Sequence, residues 1–387
     1  MRLPSLALIL VAAQAWGGDA HKAKPAVAAP AAVKEPEPTA FDAGVAAQGW
    51  VQLFDDSTLF GWTAGGGSDW KAEQGTLTAS KAGWLMTKAE FANFRLRLQY
   101  RLTEPVRLAA VVVRASGDPA AKDAGLLVPL TGGKLPGAGR WHAVDVTAKG
   151  SGFVVRIDGK VVQSVRDFRF PAGRVGLLGT GVEFRSIQLR PLDMGCLFNG
   201  QDLTGWRVVA PAAAKEPAAW SVKDGAIHVE KGPGQLETTT SHANFVLQAD
   251  VRVNSPDAQR HPNSGMFFRG DRGIFWSGYE SQIRNEYAAG DAAKPVDFGT
   301  GGIYHSQAAR RIVARDNEWF TKTIVAAGRT ISVWVDGVPV TSWTDTRPVG
   351  LDVRAGQARL LRGTISLQAH DPTTNLDFRN VCIGELP

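Results

Sequence analysis

The chain has 387 residues, 43 basic against 37 acidic side chains for a formal charge of +6, and two cysteines. That length is long for one core and comfortable for two domains. The modest charge, without clustered Lys and Arg interleaved with aromatics, carries no nucleic-acid footprint, and two cysteines exclude a metal site of the CxxC type.

At the N-terminus Arg2 precedes the apolar run Leu6 to Ala13, and Ala13-Gln14-Ala15 offers a small-x-small cleavage pattern. Residues 1–19 are therefore expected to be a secretory signal, with the protein periplasmic or extracellular. No later stretch is apolar for long enough to span a bilayer. Residues 20–48 are rich in Ala, Pro, Lys and Glu and read as a semi-extended linker.

Beyond the linker the chain repeats itself. VQLFDDSTLFGW (51–62) aligns with GCLFNGQDLTGW (195–206), and ANFRLRLQYRL (92–102) with ANFVLQADVRV (243–253). Trp141 then matches Trp319, RIDGKVV (156–162) matches WVDGVPV (334–340), and FRSIQL (184–189) matches FRNVCI (378–383). The order is preserved, so two copies of one fold are expected at 49–192 and 195–387, docked because Asp193 and Met194 alone separate them.

Each copy reads as strands. Phe94, Leu96, Leu98, Tyr100 and Leu102 alternate with polar residues, and Asp336-Gly337 between apolar runs is a strong hairpin signal. No stretch sustains a helical period. The fold class is all-β, two tandem β-sandwiches. Cys196 and Cys382 fall on the first and last strands of the second copy, where the first has Gln52 and Gln188. A matched pair at both positions makes these strands neighbours and predicts a disulfide in an oxidising compartment.

The copies differ between the ANF strand and the matched tryptophan, where the second is much longer and carries the polar motifs. Asn263 replaces Leu108 and Gly265 replaces Ala110. Strand parity places Asn263, Phe267 and Arg269 on one face, Glu280, Gln282 and Arg284 on another, and Thr364, Ser366, Gln368 and His370 opposite an apolar face. If these strands share a sheet, a polar groove results. Trp334, Phe267 or Tyr279 is placed to stack on a sugar ring. Trp62, Trp70 and Trp141 recur as Trp206, Trp220 and Trp319 and are read as core.

LFNGQDLTGW (197–206), NSGMFFR (263–269), GYESQI (278–283), TGGIYHSQAAR (300–310), DNEWFTKTI (316–324) and TISLQAHDPTTNLDFRN (364–380) resemble the 3-keto-disaccharide hydrolase domain family. The resemblance covers the second copy, while the first keeps only the framework. It implies a concanavalin A-like jelly roll and action on glycosides oxidised to a ketone at C3. The ketone acidifies the C2 hydrogen, so one base removes it and the C1 aglycone leaves by elimination; conventional glycosidases need two carboxylates at a set separation. Glu280 and His370 are the catalytic candidates, in either order of base and acid. Asn263, Arg269, Gln282, Gln368, Trp334, Tyr279 and His305 are the substrate-binding candidates. No cofactor or metal is assigned. The alternative is a non-catalytic carbohydrate-binding protein; a conventional endo-glucanase would need two acids on one strand face, as in ExDxxE, and no such strand is present.

Overall fold

The computed structural model describes residues 37, 39–103, 108–117, 124–132, 137–211 and 217–387. The signal at 1–19 and most of the linker lie outside the described residues. Strands between Val51 and Pro191 form one sandwich, and strands between Gly195 and Glu385 form another. Helix is confined to the turns Ala43–Ala47 and Ala288–Gly290 among the described residues. The first belongs to the expected linker, whose end is ordered: Ala46 is buried, and Gln188 donates to the Thr39 carbonyl.

Both sandwiches share one topology. In the second, a large sheet runs Ala219–Lys223, Ala226–Glu230, Asn375–Glu385, Phe245–Val253, Trp319–Ala327, Thr330–Val335, Val338–Thr344, with Gly195–Cys196 beside Asn375–Glu385. A smaller sheet runs Trp206–Val209, Gly234–Thr238, Thr364–Ala369, Ser264–Gly270, Tyr279–Ile283. This is the concanavalin-like jelly roll. Alternation closes the core: Phe245, Leu247, Ala249, Val251 and Val253 of the large sheet meet Met266, Phe268, Ile365 and Leu367 of the small one. Asp336 and Gly337 both take positive φ (46° and 69°), as the tight hairpin between Val335 and Val338 requires.

Cys196 lies opposite Cys382 in antiparallel register, and the two are disulfide-bonded. Gln52 lies opposite Gln188 at the same place in the first sandwich. The indoles of Trp62 and Trp206 each donate to a backbone carbonyl of the first strand region, of Leu53 and Leu197. These recurring tryptophans are framework, as their repetition predicts.

The two sandwiches share an apolar junction. Val246, Val325, Trp334 and Leu386 of the second join the core cluster of the first. Gln52 N–H donates to the Gly337 carbonyl at 2.8 Å, and Asp55 pairs with Arg310 at 2.7 Å. Here the structure corrects one expectation. Trp334 is 5% exposed, its ring centroid lies 6.3 Å from that of Phe91, and its indole N–H donates to the Gln52 carbonyl at 2.7 Å. It has no tryptophan counterpart because it belongs to the domain junction, and it cannot stack on a ligand.

Candidate active site

The outer face of the second small sheet is built in register. Gln235 sits opposite Gln368, Gly265 opposite Gln282, and Phe267 opposite both Glu280 and Ser366. Outward side chains of four adjacent strands thereby share one face. Loops from the long insertion and from 345–362 wall them in, giving a cleft of about 620 Å³, roomy enough for a pyranose. It is lined by Asn263, Phe267, Trp276, Glu280, Gln282, Tyr304, His305, Arg354, Gln368 and His370 among others, all from the second sandwich. Among the described residues, none of the first sandwich lines the groove.

The equivalent face of the first sandwich is an internal control. There Leu178 lies opposite Ala110 and Ala110 opposite Pro129, while Val112 lies between Gly176 and Leu127. Superposing the registers puts Leu127 where the second copy has Glu280, Pro129 where it has Gln282, and Leu178 where it has Gln368. Gly265 completes the set. A Cβ there would stand 2.8 Å from Glu280 Cγ, so the carboxylate occupies room that a side chain at 265 would take.

Glu280 is enclosed by the cleft walls, and burial, the largest influence, raises its pKa to about 8. The charges of Lys322 and Arg354 and a hydrogen bond from Gln368 act the other way, while Asp297 adds to the rise. The carboxyl is therefore mostly protonated at neutral pH. His370, just past the end of its strand, keeps the parity expected of it. Its Nδ1 lies 2.8 Å from Asp371 Oδ2, and its ring stacks on Trp276 with centroids 5.4 Å apart and planes 9° apart. Burial of Asp371 raises its pKa, but hydrogen bonds from Thr373 and His370 outweigh that and hold it below the usual carboxylate range. An ionised Asp371 fixes the proton on Nδ1 and leaves Nε2 as the basic nitrogen.

Asn263 and Gln282 both donate to Asp297 Oδ2, at 3.2 and 3.0 Å. Asn263 Oδ1 and Gln368 Oε1 are buried without a protein partner among the described residues, as is the Trp276 indole N–H. Such groups call for hydrogen-bonding ligand atoms, the amide oxygens for hydroxyl donors. His305 is exposed at the rim, with its ring edge-on to Tyr304 at 4.2 Å. Among the described residues no group of three or more His, Cys, Asp or Glu side chains is arranged to hold a metal ion.

Two further sequence-based candidates are not in the cleft. Arg269 was expected on the polar face by parity, but the pairing slips between Phe267 and Gly270. Arg269 takes φ +56° in that bulge, which turns its side chain inward. It is fully buried, donating to the carbonyls of Ala243, Gly328 and Arg359 and to Asn244 Oδ1. Arg114 makes the same clamp in the first sandwich, to Ala92, Gly150, Phe170 and Asn93. Arg269 is framework. Tyr279 faces the core, donates its hydroxyl to Asp345 Oδ2 at 2.7 Å and accepts from Arg359 N–H. It too is structural, because its strand parity is opposite to that of Glu280.

Trp276, Tyr304 and Arg354 join the cleft from loops, where no period marks a face, and the loop residue Asp297 accepts from two of its lining amides, Asn263 and Gln282. Their common signal is position: Trp276, Tyr304 and Asp297 lie in the segment that the first copy lacks.

Two concanavalin-like sandwiches stand in tandem, and among the described residues the polar, carboxyl-bearing cleft is built by the second. The chain belongs to the 3-keto-alpha-glucoside-1,2-lyase-like domain family, whose profile matches residues 49–190 and again 193–384. No curated protein matches the sequence. Among solved structures, the chain is similar to two proteins of Parabacteroides distasonis ATCC 8503 named as candidate glycosyl hydrolases. One is 20% identical over 49% of this chain and 93% of its own, at a TM-score of 0.39. The other is 28% identical over 51% and 85%, at 0.38. A carbohydrate-binding module from Bacillus subtilis is 15% identical over 46% and 93%, at 0.32. Each match spans about half of the chain, the extent of one sandwich.

Proposed function

We propose that the second sandwich cleaves the glycosidic bond of 3-keto-glycosides, 3-keto-disaccharides included, by proton abstraction at C2 and loss of the C1 aglycone. The observation that carries the reading is the pairing, within one cleft, of a carboxyl group protonated at neutral pH with an imidazole whose second nitrogen is held by a carboxylate. A carboxyl that holds its proton and an imidazole nitrogen with an open lone pair in the same cleft are suited to opposite roles. His370 Nε2 takes the C2 proton, and the electrons of the broken C–H bond move into the C3 carbonyl as an enolate. They return to form the C1–C2 double bond as the C1–O bond breaks, and Glu280 gives its proton to the departing oxygen. Water then adds across that double bond with the proton transfers reversed.

Arg354 brings positive charge to the cleft where enolate charge develops. Asn263 Oδ1 and Gln368 Oε1 accept from sugar hydroxyls, and the Trp276 ring supplies a flat apolar surface beside the imidazole. Export to the periplasm or cell exterior is part of this reading, supported by the N-terminal motif and by a disulfide suited to an oxidising compartment.

The test is incubation with a 3-keto-glucoside bearing a chromogenic aglycone. Wild-type protein is expected to release the aglycone, and Glu280→Gln and His370→Ala each to slow release by about 10²–10⁴-fold. Saturable binding of the keto-sugar by wild-type protein without release would refute the enzyme and leave a carbohydrate-binding module.

A further inference from the structure

Beneath the strand that carries Glu280 lies a lysine with no part in the chemistry above. Lys322 projects inward from the large-sheet strand Trp319–Ala327, between Phe320 and Ile324 of the core. It is 0% exposed, and its ammonium crosses the sandwich to donate to the carbonyls of Ser281 and Gln282 at 2.7 and 2.8 Å. These two residues directly follow Glu280. Both sheets thus meet at this point through an amine rather than through apolar side chains.

A buried ammonium is costly unless an anion or well-placed acceptors repay its desolvation. The chain contains its own comparison. Lys322 lies opposite Ala249, and the corresponding pair in the first sandwich, aligned through Trp319 and Trp141, is Val144 opposite Leu98. Where the outer face holds Leu127, the core beneath it is Val and Leu; where the outer face holds Glu280, the core opens at Ala249 to admit a lysine. The carboxyl and the ammonium enter and leave the fold together.

We infer that Lys322 is a positioning residue for Glu280: its amine holds the Ser281–Gln282 backbone from below and stands as the counter-group to the cleft carboxyl when that carboxyl ionises. The inference rests on the reading of Glu280 as the cleft acid, but the pairing itself is independent of turnover. The other charged groups around Glu280 are Arg354, which acts in the same direction as Lys322, and Asp297, which opposes it; Tyr304 is coupled to Glu280 as a neighbour. Arg347, His305 and His370 complete the ionisable lining of the cleft. Lys322 itself is held well below the usual lysine range by its burial, with Glu280 as the one charge that raises it. When both carry charge, each group of the pair is the other's counter-charge.

The experiment is a carboxyl ¹³C NMR titration of Glu-labelled protein, with the Glu280 signal assigned by its loss in Glu280→Gln. Lys322→Met keeps the length of the side chain, and both carbonyls retain their places in the sheet. The Glu280 midpoint is expected to rise by about one unit or more, the size of a lost close counter-charge, while Lys322→Arg returns it toward wild type. A midpoint that stays or falls in Lys322→Met overturns the inference, as does an equal rise in Lys322→Arg, because a purely steric role would move stability and not the titration. If wild-type protein turns over 3-keto-glucosides, the alkaline limb of its rate profile moves with the midpoint, about tenfold in proton concentration per unit. If it does not, the functional reading fails while the titration still decides the role of Lys322.

Discussion

Replacing Glu280 by Gln is expected to stabilise the protein while removing its activity, and the gain depends on pH. The carboxyl has a folded pKa of about 8 against an ordinary value of 4.5, chiefly because the cleft walls take it out of water. A raised folded value means that the folded state binds the extra proton. The stability attached to that proton is fully present below pH 4.5, declines as pH rises through the interval, and is gone above pH 8. At 1.36 kcal/mol per unit the full span corresponds to about 5 kcal/mol, with the opposing charges of Lys322 and Arg354 already included. Gln keeps the shape and cannot ionise. Urea unfolding at pH 5, 7 and 9 should therefore show the two proteins close to equal at pH 5 and the variant ahead by several kcal/mol at pH 9. A stability difference that does not change with pH would refute the argument that Glu280 is held protonated by its burial. So would a wild type that gains on the variant as pH rises.

Two other expectations follow from framework residues. Replacing both Cys196 and Cys382 by Ala opens a loop with a sequence separation of 186 and should lower stability by up to about 5 kcal/mol in the chain-entropy account; a denaturation midpoint unchanged from that of the oxidised parent would contradict it. Arg269→Met leaves several buried carbonyls short of a donor and should cost about 3–5 kcal/mol. The residual folded protein should bind the keto-sugar with unchanged KM, and a selective rise in KM with stability intact would return Arg269 to the site.

The reach of the sequence was set by what is local. The tandem repeat, the strand alternation and the Asp-Gly turns are encoded in neighbouring residues, and they determined two sandwiches of one topology. The disulfide followed from the same comparison, since matched positions in two copies reveal which strands adjoin. The groove at Glu280, Gln282, Gln368 and His370 was legible because each keeps the parity of its strand, and Asn263 joined them at the cleft floor.

Parity failed where the backbone departs from it. A single bulge residue with positive φ turned Arg269 from the outer face into the interior, and no spacing in NSGMFFR announces that turn. Trp334 did obey its alternation, but the face it points to is covered by the other sandwich, and docking is a property of two surfaces rather than of one strand. The loops that bring Trp276, Tyr304 and Arg354 to the cleft carry no period at all. Lys322 occupied an inward position between Phe320 and Ile324 in plain view, yet only the packed structure supplied the reason, by placing its ammonium under the strand of Glu280. Along an unbroken strand the sequence period gives the side a residue takes; only folding decides where the strand bulges and what lies on each side.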